Sequence, residues 1–364
     1  MKTIKLLFLF VFYLNIQCVI SQNKYIFSPI EFQKAVAKGT RTNDGKPGPN
    51  YFQNGSDYKI NASFDPKTGV LEGNETIKYT NNSPDSLKFI VIKLYQNIFK
   101  PNAIRGVEIE PCDINDGVNI KRMIVNGNEI QIGSITEYGT NLIVRPKQKI
   151  SPKSVNTIEI DWKVNLPNKT LIRMGRYDTT SYFVAYWYPQ IAVYDDISGW
   201  NIENYNGIAE FYNDYANFDV TINVPQNFLV WATGELQNTD EIFSDIIQKR
   251  ITDAKNNDGL VRIITAEDYK NKSIFKTNSS NKWHFVANNV TDFAFGTSDH
   301  YIWDGTSVIV DPKTQRRAMA NAVYKIDSKA GEDIAMVIRQ TMLMLSTEVI
   351  GFPYPYPHNT VWEG

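Results

Sequence analysis

The sequence predicts a mainly β protein, with a large antiparallel β domain over residues 57–297 and the truncated start of an α/β unit over residues 298–364. Three observations carry that expectation. Apolar and polar residues alternate with period two through most of the chain. Turn-forming residues separate the alternating runs at short intervals. Near the end the period changes to a helical one. At 364 residues and roughly 150 per domain, two domains are the expected number.

The elements follow in order. Residues 1–21 read as a secretory signal: Lys2 and Lys5 precede a short apolar run, LLFLFVFYL, and a small residue, Ser21, lies before the expected cut at Gln22. The run is too short to cross a bilayer, which takes about 20 apolar residues, so the protein is expected to be exported by this signal and to carry no transmembrane segment. A lipid anchor on Cys18 is the lesser alternative, because Gln17 stands where a small residue is wanted. Residues 22–56 are a lead-in. Tyr58, Ile60, Ala62 and Phe64 then alternate, Asp65-Pro66-Lys67-Thr68-Gly69 forms a turn, and Leu71, Gly73, Glu75, Ile77 and Tyr79 continue the alternation, giving a hairpin.

Residues 87–95 are apolar on both faces and read as a strand covered on both sides. Asn126-Gly127 marks a second hairpin, since both residues tolerate positive φ. Further strands are expected through Ile158, Ile160, Trp162, Val164 and Leu166, through Phe218, Val220, Ile222 and Val224, and through Trp283, Phe285 and Ala287. Ile334, Val337, Ile338, Met342, Leu345 and Val349 then share one helix face. Gly351 and Pro353 end that helix, and the alternating prolines of residues 352–357 form a stiff connector. A domain opening with one helix and a connector is expected to continue past Gly364.

Composition excludes several function classes. Lys and Arg number 38 against 39 Asp and Glu, a formal charge of −1, which leaves no basic surplus for binding nucleic acid. With 42% hydrophobic residues the chain is not disordered, and its 7 Trp, 20 Tyr and 19 Phe can fill a large core. Loss of Cys18 with the signal leaves Cys112 alone, so no intrachain disulfide is expected.

Catalytic motifs are scarce. The sequence holds no His-Glu-x-x-His, Gly-x-Ser-x-Gly or glycine-rich phosphate loop. Its histidines, His284, His300 and His358, read as three unrelated imidazoles. Ser298-Asp299-His300 has the residue types of a triad, but adjacent side chains are not expected to converge as a nucleophile, base and orienter must. Asp195-Asp196 reads as a turn-capping pair, with calcium as the alternative.

Several blocks, taken in succession, resemble the aminopeptidase N-type zinc metallopeptidases, and specifically their exported bacterial branch. Residues 45–54 (GKPGPNYFQN) are similar to the lead-in of that family's first domain. Residues 186–196 (YWYPQIAVYDD) with Gly199-Trp200 are similar to its most distinctive block. Residues 210–220, Val224-Pro225 and Ala232-Thr233-Gly234 match the strand pair that follows. Residues 290–295 and 301–304 resemble the crossing into the catalytic domain, and residues 352–358 the connector before its first active-site strand.

The resemblance implies a saddle-shaped antiparallel β domain packed on a thermolysin-like α/β domain. It implies peptide substrates, zinc in the complete enzyme, and a Gly-x-Met-Glu strand followed by His-Glu-x-x-His, none of which lies in these 364 residues. No catalytic or metal-binding residue carries over, no bound zinc is expected on this chain, and the polypeptide alone is expected to be inactive. Thr179, Thr180 and Ser181 stand where the family often places a Gln or Glu against the substrate amine. Tyr188 and Gln190 are the candidate substrate-binding residues, and the plainer reading makes them core and rim residues of a strand end. The alternative function is a stand-alone β-rich module binding protein or glycan through exposed aromatics such as Trp187 and Trp200.

Overall fold

A computed structural model describes residues 27–364, so the expected signal over residues 1–21 lies outside the described residues. Two compact units are present. The smaller comprises, among the described residues, 27–52 with Tyr194–Gly199. Its helix Ile30–Ala37 leads to a loop closed by the Arg41↔Pro47 bridge. The Arg41 guanidinium grips Asp196 with two hydrogen bonds of 2.8 and 2.9 Å and lies 4.7 Å above the Tyr51 ring. Burial works to raise the Asp196 carboxyl, but the hydrogen bonds and charge of Arg41 together with the Thr40 bond outweigh it and hold it below the usual range. Asp195 Oδ1 accepts from the backbone N–H groups of Ile197 and Ser198, the turn-capping role its position foretold.

The larger unit holds residues 53–193 and 200–364. Its main sheet has eight strands. The expected hairpin forms between Gly55–Asp65 and Val70–Asn81, with Tyr58 opposite Ile77 and Gly69 at a φ of 71° closing the turn. The second strand pairs antiparallel with Ser154–Asn165, and that strand with Asn119–Val125, whose Asn126-Gly127 turn has φ of 49° and 74°. On the other side, Ala216–Asn223 lies beside Gly55–Asp65 with Tyr58 opposite Phe218. That pairing is parallel, where an antiparallel sheet was expected. About 150 residues of chain separate the two strands, and a connection that long leaves direction free, unlike a hairpin turn.

Smaller sheets pack against this one. Ile90–Lys93 is buried throughout, as the two-faced apolar run implied, but the strand stops before Tyr95 because residues Tyr95–Phe99 tighten into a 3₁₀ turn. Within it, Lys93 donates to Asn141 Oδ1 at 2.8 Å and to the Glu203 carbonyl at 2.9 Å, and burial pushes its ammonium down to about 8. Trp187 and Trp200 are both buried, the first completely, which corrects the expectation that they are exposed aromatics. The Trp187 ring is covered by Trp162 from one distant segment and by Phe293 and Phe295 from another, and nothing local to the sequence reveals that cover.

The last sheet contains Val261–Ile264, Ile302–Asp311, Arg316–Tyr324 and His358–Trp362. Its final two strands are parallel, and the helix Ile334–Met344 crosses between them. That helix buries Ala335, Ile338 and Met342, the last two against Val308, Val310, Ala318 and Ala320. Val337 and Val349, expected on the same face, are exposed. A π turn over Leu345–Val349 widens the final coil and rotates Val349 off the seam.

The first strand of this sheet comes from inside residues 57–297, the span expected to be β throughout, and helices accompany it there. Asp245–Asn256 is a helix with Ile247, Ile251 and Ala254 buried at offsets 0, 4 and 7. A reciprocal Thr265–Asp268 cap starts the short helix Ala266–Lys270. Both signals are in the sequence, and the surrounding strand pattern masks them. Among the described residues no helix is long and apolar enough to cross a membrane.

Candidate functional site

A cleft of about 560 Å³ opens where the ends of three sheets meet. One wall is the turn after Leu229–Ala232, with Trp231, Gly234 and Glu235. A second is the segment from Val286 through Asp292 to Gly296, and the third is the connector and strand from Tyr354 to Trp362. Phe183, two residues beyond Ser181, faces the same space.

Local chemistry fixes each wall. Trp362 stacks on Tyr301 at 4.7 Å and meets Trp231 edge-on at 5.5 Å. A Cβ on residue 296 would stand 2.4 Å from the Trp362 ring, so only glycine lets Phe295–Ser298 pass behind that tryptophan. His358 Nε2 donates to the Gly234 carbonyl at 2.6 Å, which leaves Nδ1 to accept from Thr360 Oγ1 at 3.2 Å. Burial lowers the imidazole against the opposing pull of that carbonyl, so His358 is neutral in the cleft wall at physiological pH.

Asp292 is the one carboxylate of the 290–296 wall. Its Oδ1 accepts from the Tyr188 hydroxyl at 2.9 Å and from the Phe293 N–H at 2.8 Å. Burial raises it to about 6, more than those two donors can offset. Tyr188 and Gln190, the substrate-binding candidates, are brought together directly behind it. Gln190 Nε2 donates to the Tyr188 hydroxyl at 2.9 Å, both side chains are buried, and neither lines the cleft. They reach it only through Asp292. Burial keeps Tyr188 protonated, its phenol pushed far above the usual range, so this file of groups holds Asp292 in place.

Asp292 was legible only as part of a block; a charged residue between Val290 and Phe293 was the available signal. Its raised value has a measurable consequence. The carboxyl titrates near 6 when folded and near 3.9 when unfolded, so stability present below about pH 4 is lost as pH rises through 6. Asp292→Asn should remove that loss, leaving the variant about 1–3 kcal/mol more stable than the parent at pH 8 after allowance for solvent at the cleft mouth. Urea unfolding at pH 4 and pH 8 checks it; a gap that does not change with pH would contradict the assignment.

A second polar cluster lies away from the cleft. His300 Nδ1 is 2.7 Å from Asp299, its Nε2 is 3.2 Å from Asp178, and Thr180 Oγ1 donates to Asp299 at 2.6 Å. Ser298 Oγ comes within 3.4 Å of His300 Nδ1, so the adjacent side chains do approach, contrary to expectation. The turn at residues 298–301 folds them together. They do not form a nucleophilic triad: Ser298 is fully buried, its Oγ accepts from the N–H groups of His300 and Tyr301, and Ser181 donates to it at 2.9 Å. Thr180 and Ser181 are thus spent on holding two turns together.

The third histidine, His284, pairs with Asp219 at 2.9 Å on the open face of its strand. Among the described residues no three His, Cys, Asp or Glu side chains are placed to share a metal ion. The donor set present does not fit a zinc centre, because each histidine is held by a different partner.

No protein-family model and no curated protein matches the sequence. Solved structures match by fold. A substituted form of an M1 zinc metallopeptidase from Deinococcus radiodurans aligns with a TM-score of 0.50 at 11% identity, over 87% of this chain and 58% of that chain. The likeness is one of fold. The M1 zinc metallopeptidase of Deinococcus radiodurans itself gives a TM-score of 0.49 at 11% identity, over 87% of this chain and 57% of its own. A substituted two-domain M1 zinc metallopeptidase bound to L-arginine gives 0.49 at 12%, over 87% and 58%. This chain therefore spans less than two thirds of the length of the structures it resembles.

Proposed function

We propose that this polypeptide is the β domain and the first α/β strands of an exported zinc metallopeptidase with aminopeptidase-like action on peptides. In this reading residues 27–364 shape the approach to the reacting bond and supply none of the zinc ligands. The observation that supports it most is the placement of the family-like blocks. Segments far apart in sequence (residues 183, 231–235, 286–296 and 354–362) meet around one cleft, and three of the blocks that carry the resemblance contribute to its walls. The fold shared with an M1 zinc metallopeptidase points the same way.

The zinc would be held by residues outside those present, so this chain by itself is expected to retain no stoichiometric zinc and to hydrolyse no aminoacyl chromogenic substrate. Metal analysis and an aminoacyl-p-nitroanilide assay on residues 22–364 test that directly. Zinc-dependent turnover by the isolated polypeptide would refute the assignment of roles. The reading frame beyond Gly364 tests the family: continuation into Gly-x-Met-Glu and His-Glu-x-x-His is expected, and a stop codon there overturns the proposal. Export is tested by fractionation, with the product expected outside the cytoplasm and shortened by its first 21 residues.

A further inference from the structure

Three buried residues at the inner face of the main sheet carry polar atoms without a hydrogen-bond partner among the described residues. These atoms are both carboxyl oxygens of Glu75, Nε1 of Trp162 and Oε1 of Gln190. The residues are 2%, 0% and 4% exposed, so bulk solvent does not serve them. The strand register makes neighbours of the first two. Glu75 stands opposite Ile160, and Gly73, the next residue on that face, stands opposite Trp162. With no side chain on Gly73 the indole leans across it: Cζ2, on the N–H side of the ring, lies 3.0 Å from the place of a Cβ at residue 73. Gln190 belongs to the segment that covers this face. Its Nε2 is 2.9 Å from the Tyr188 hydroxyl, the Tyr188 ring packs 5.3 Å from Trp187, and Trp187 packs 5.6 Å from Trp162. The charge of Glu75 bears on the Tyr188 and Tyr58 phenols, so Glu75 borders the same spot.

The chemistry of the three groups says what would satisfy them together. The single proton of the Tyr188 hydroxyl is spent on Asp292 at 2.9 Å, so Tyr188 can only accept from Gln190. That fixes the amide with Nε2 on the phenol and Oε1 turned to the other side, where it needs a donor. Trp162 Nε1 can only donate. The Glu75 carboxyl keeps its proton under burial, so it can do either. A cation would suit the oxygens and meet the positive end of the indole N–H; an anion would do the reverse. Water accepts and donates at once, and an internal water makes about three such bonds.

We propose that an internal water molecule is bound between Glu75, Trp162 and Gln190, accepting from Trp162 Nε1 and donating to Gln190 Oε1 and a Glu75 carboxyl oxygen. It heads a row of donors that all point one way. The water donates to Gln190, Gln190 Nε2 to Tyr188, and Tyr188 to Asp292 in the cleft wall. The row joins the middle of the sheet to the cleft. One water satisfies a neutral carboxyl without hydrating a carboxylate, so Glu75 stays protonated beside it. The site stands apart from the peptidase reading, because its argument uses neither zinc nor a scissile bond.

Nuclear magnetic resonance of the purified polypeptide, with ¹⁵N-tryptophan in a deuterated background, tests it. The Trp162 indole N–H signal, identified by its loss in Trp162→Phe, should show a cross-peak to water with the sign of a molecule held longer than the protein takes to tumble. Glu75→Gln has no exchanging carboxyl proton but still offers a donor and an acceptor, and should keep the peak. Glu75→Leu puts methyl groups where the water binds, and should lose it; urea unfolding separates a lost water from a lost fold. Tyr188→Phe should leave the peak in place. Absence of the peak from the parent, its persistence in Glu75→Leu, or its loss in Glu75→Gln or Tyr188→Phe would each overturn the proposal. The parent measurement decides even where a variant fails to fold.

Discussion

Trp187→Ala is expected to destabilise the larger unit by about 3–5 kcal/mol, the range for deleting a buried indole. Trp187 is fully buried, and its ring lies 5.3–5.6 Å from those of Tyr188, Trp162 and Phe295. Its Nε1 donates to the Phe293 carbonyl at 2.9 Å, so the substitution also strands a buried acceptor beside the cleft segment. Urea unfolding followed by circular dichroism gives the number. A loss below about 1 kcal/mol would mean that the indole is surface-mounted, as a glycan-binding module would require.

Glu75→Gln should act in the opposite direction. Glu75 sits on the inward face of Val70–Asn81, between Ile60 and Ile160 in the sheet, and is 2% exposed. Neither carboxyl oxygen has a hydrogen-bond partner among the described residues, and burial raises the group well above its usual value. The sign follows from linkage. The folded state keeps a proton that the unfolded chain releases near pH 4.3, so stability is full below that pH and falls as pH rises toward the folded value. Over that window the parent should lose up to about 1.4 kcal/mol per pH unit relative to Glu75→Gln, so the variant should lead at pH 7 and show no lead near pH 4. Parallel unfolding free energies across that range would show that the carboxylate is solvated or paired.

The same residue marks a boundary of what alternation can tell. Glu75 fell at an inward position of a well-patterned strand, and the strand obeyed the pattern despite the carboxylate, because ten neighbouring pairings with the adjacent strand fix the register more strongly than one charge opposes it. Asn126-Gly127 and the Asp65 turn were equally legible, since positive φ and side-chain-to-backbone bonds are local properties. The helix Asp245–Asn256 was missed where a short amphipathic seam lay among strands. Tyr188 and Gln190 were singled out by type, and their burial behind Asp292 depends on segments about 100 residues away.

The amino-acid sequence by itself determined the β-rich class, the hairpins, the turn positions and the late helix, all of which rest on interactions between residues close along the chain. Tertiary structure alone decided the parallel pairing of Ala216–Asn223, the enclosure of Trp187, and the meeting of Phe183, Trp231, Asp292, His358 and Trp362 around one cleft. Those outcomes depend on which surfaces cover one another after long connections close. Local dihedral preferences and side-chain periodicity place no constraint on that choice, and the burial of apolar area does.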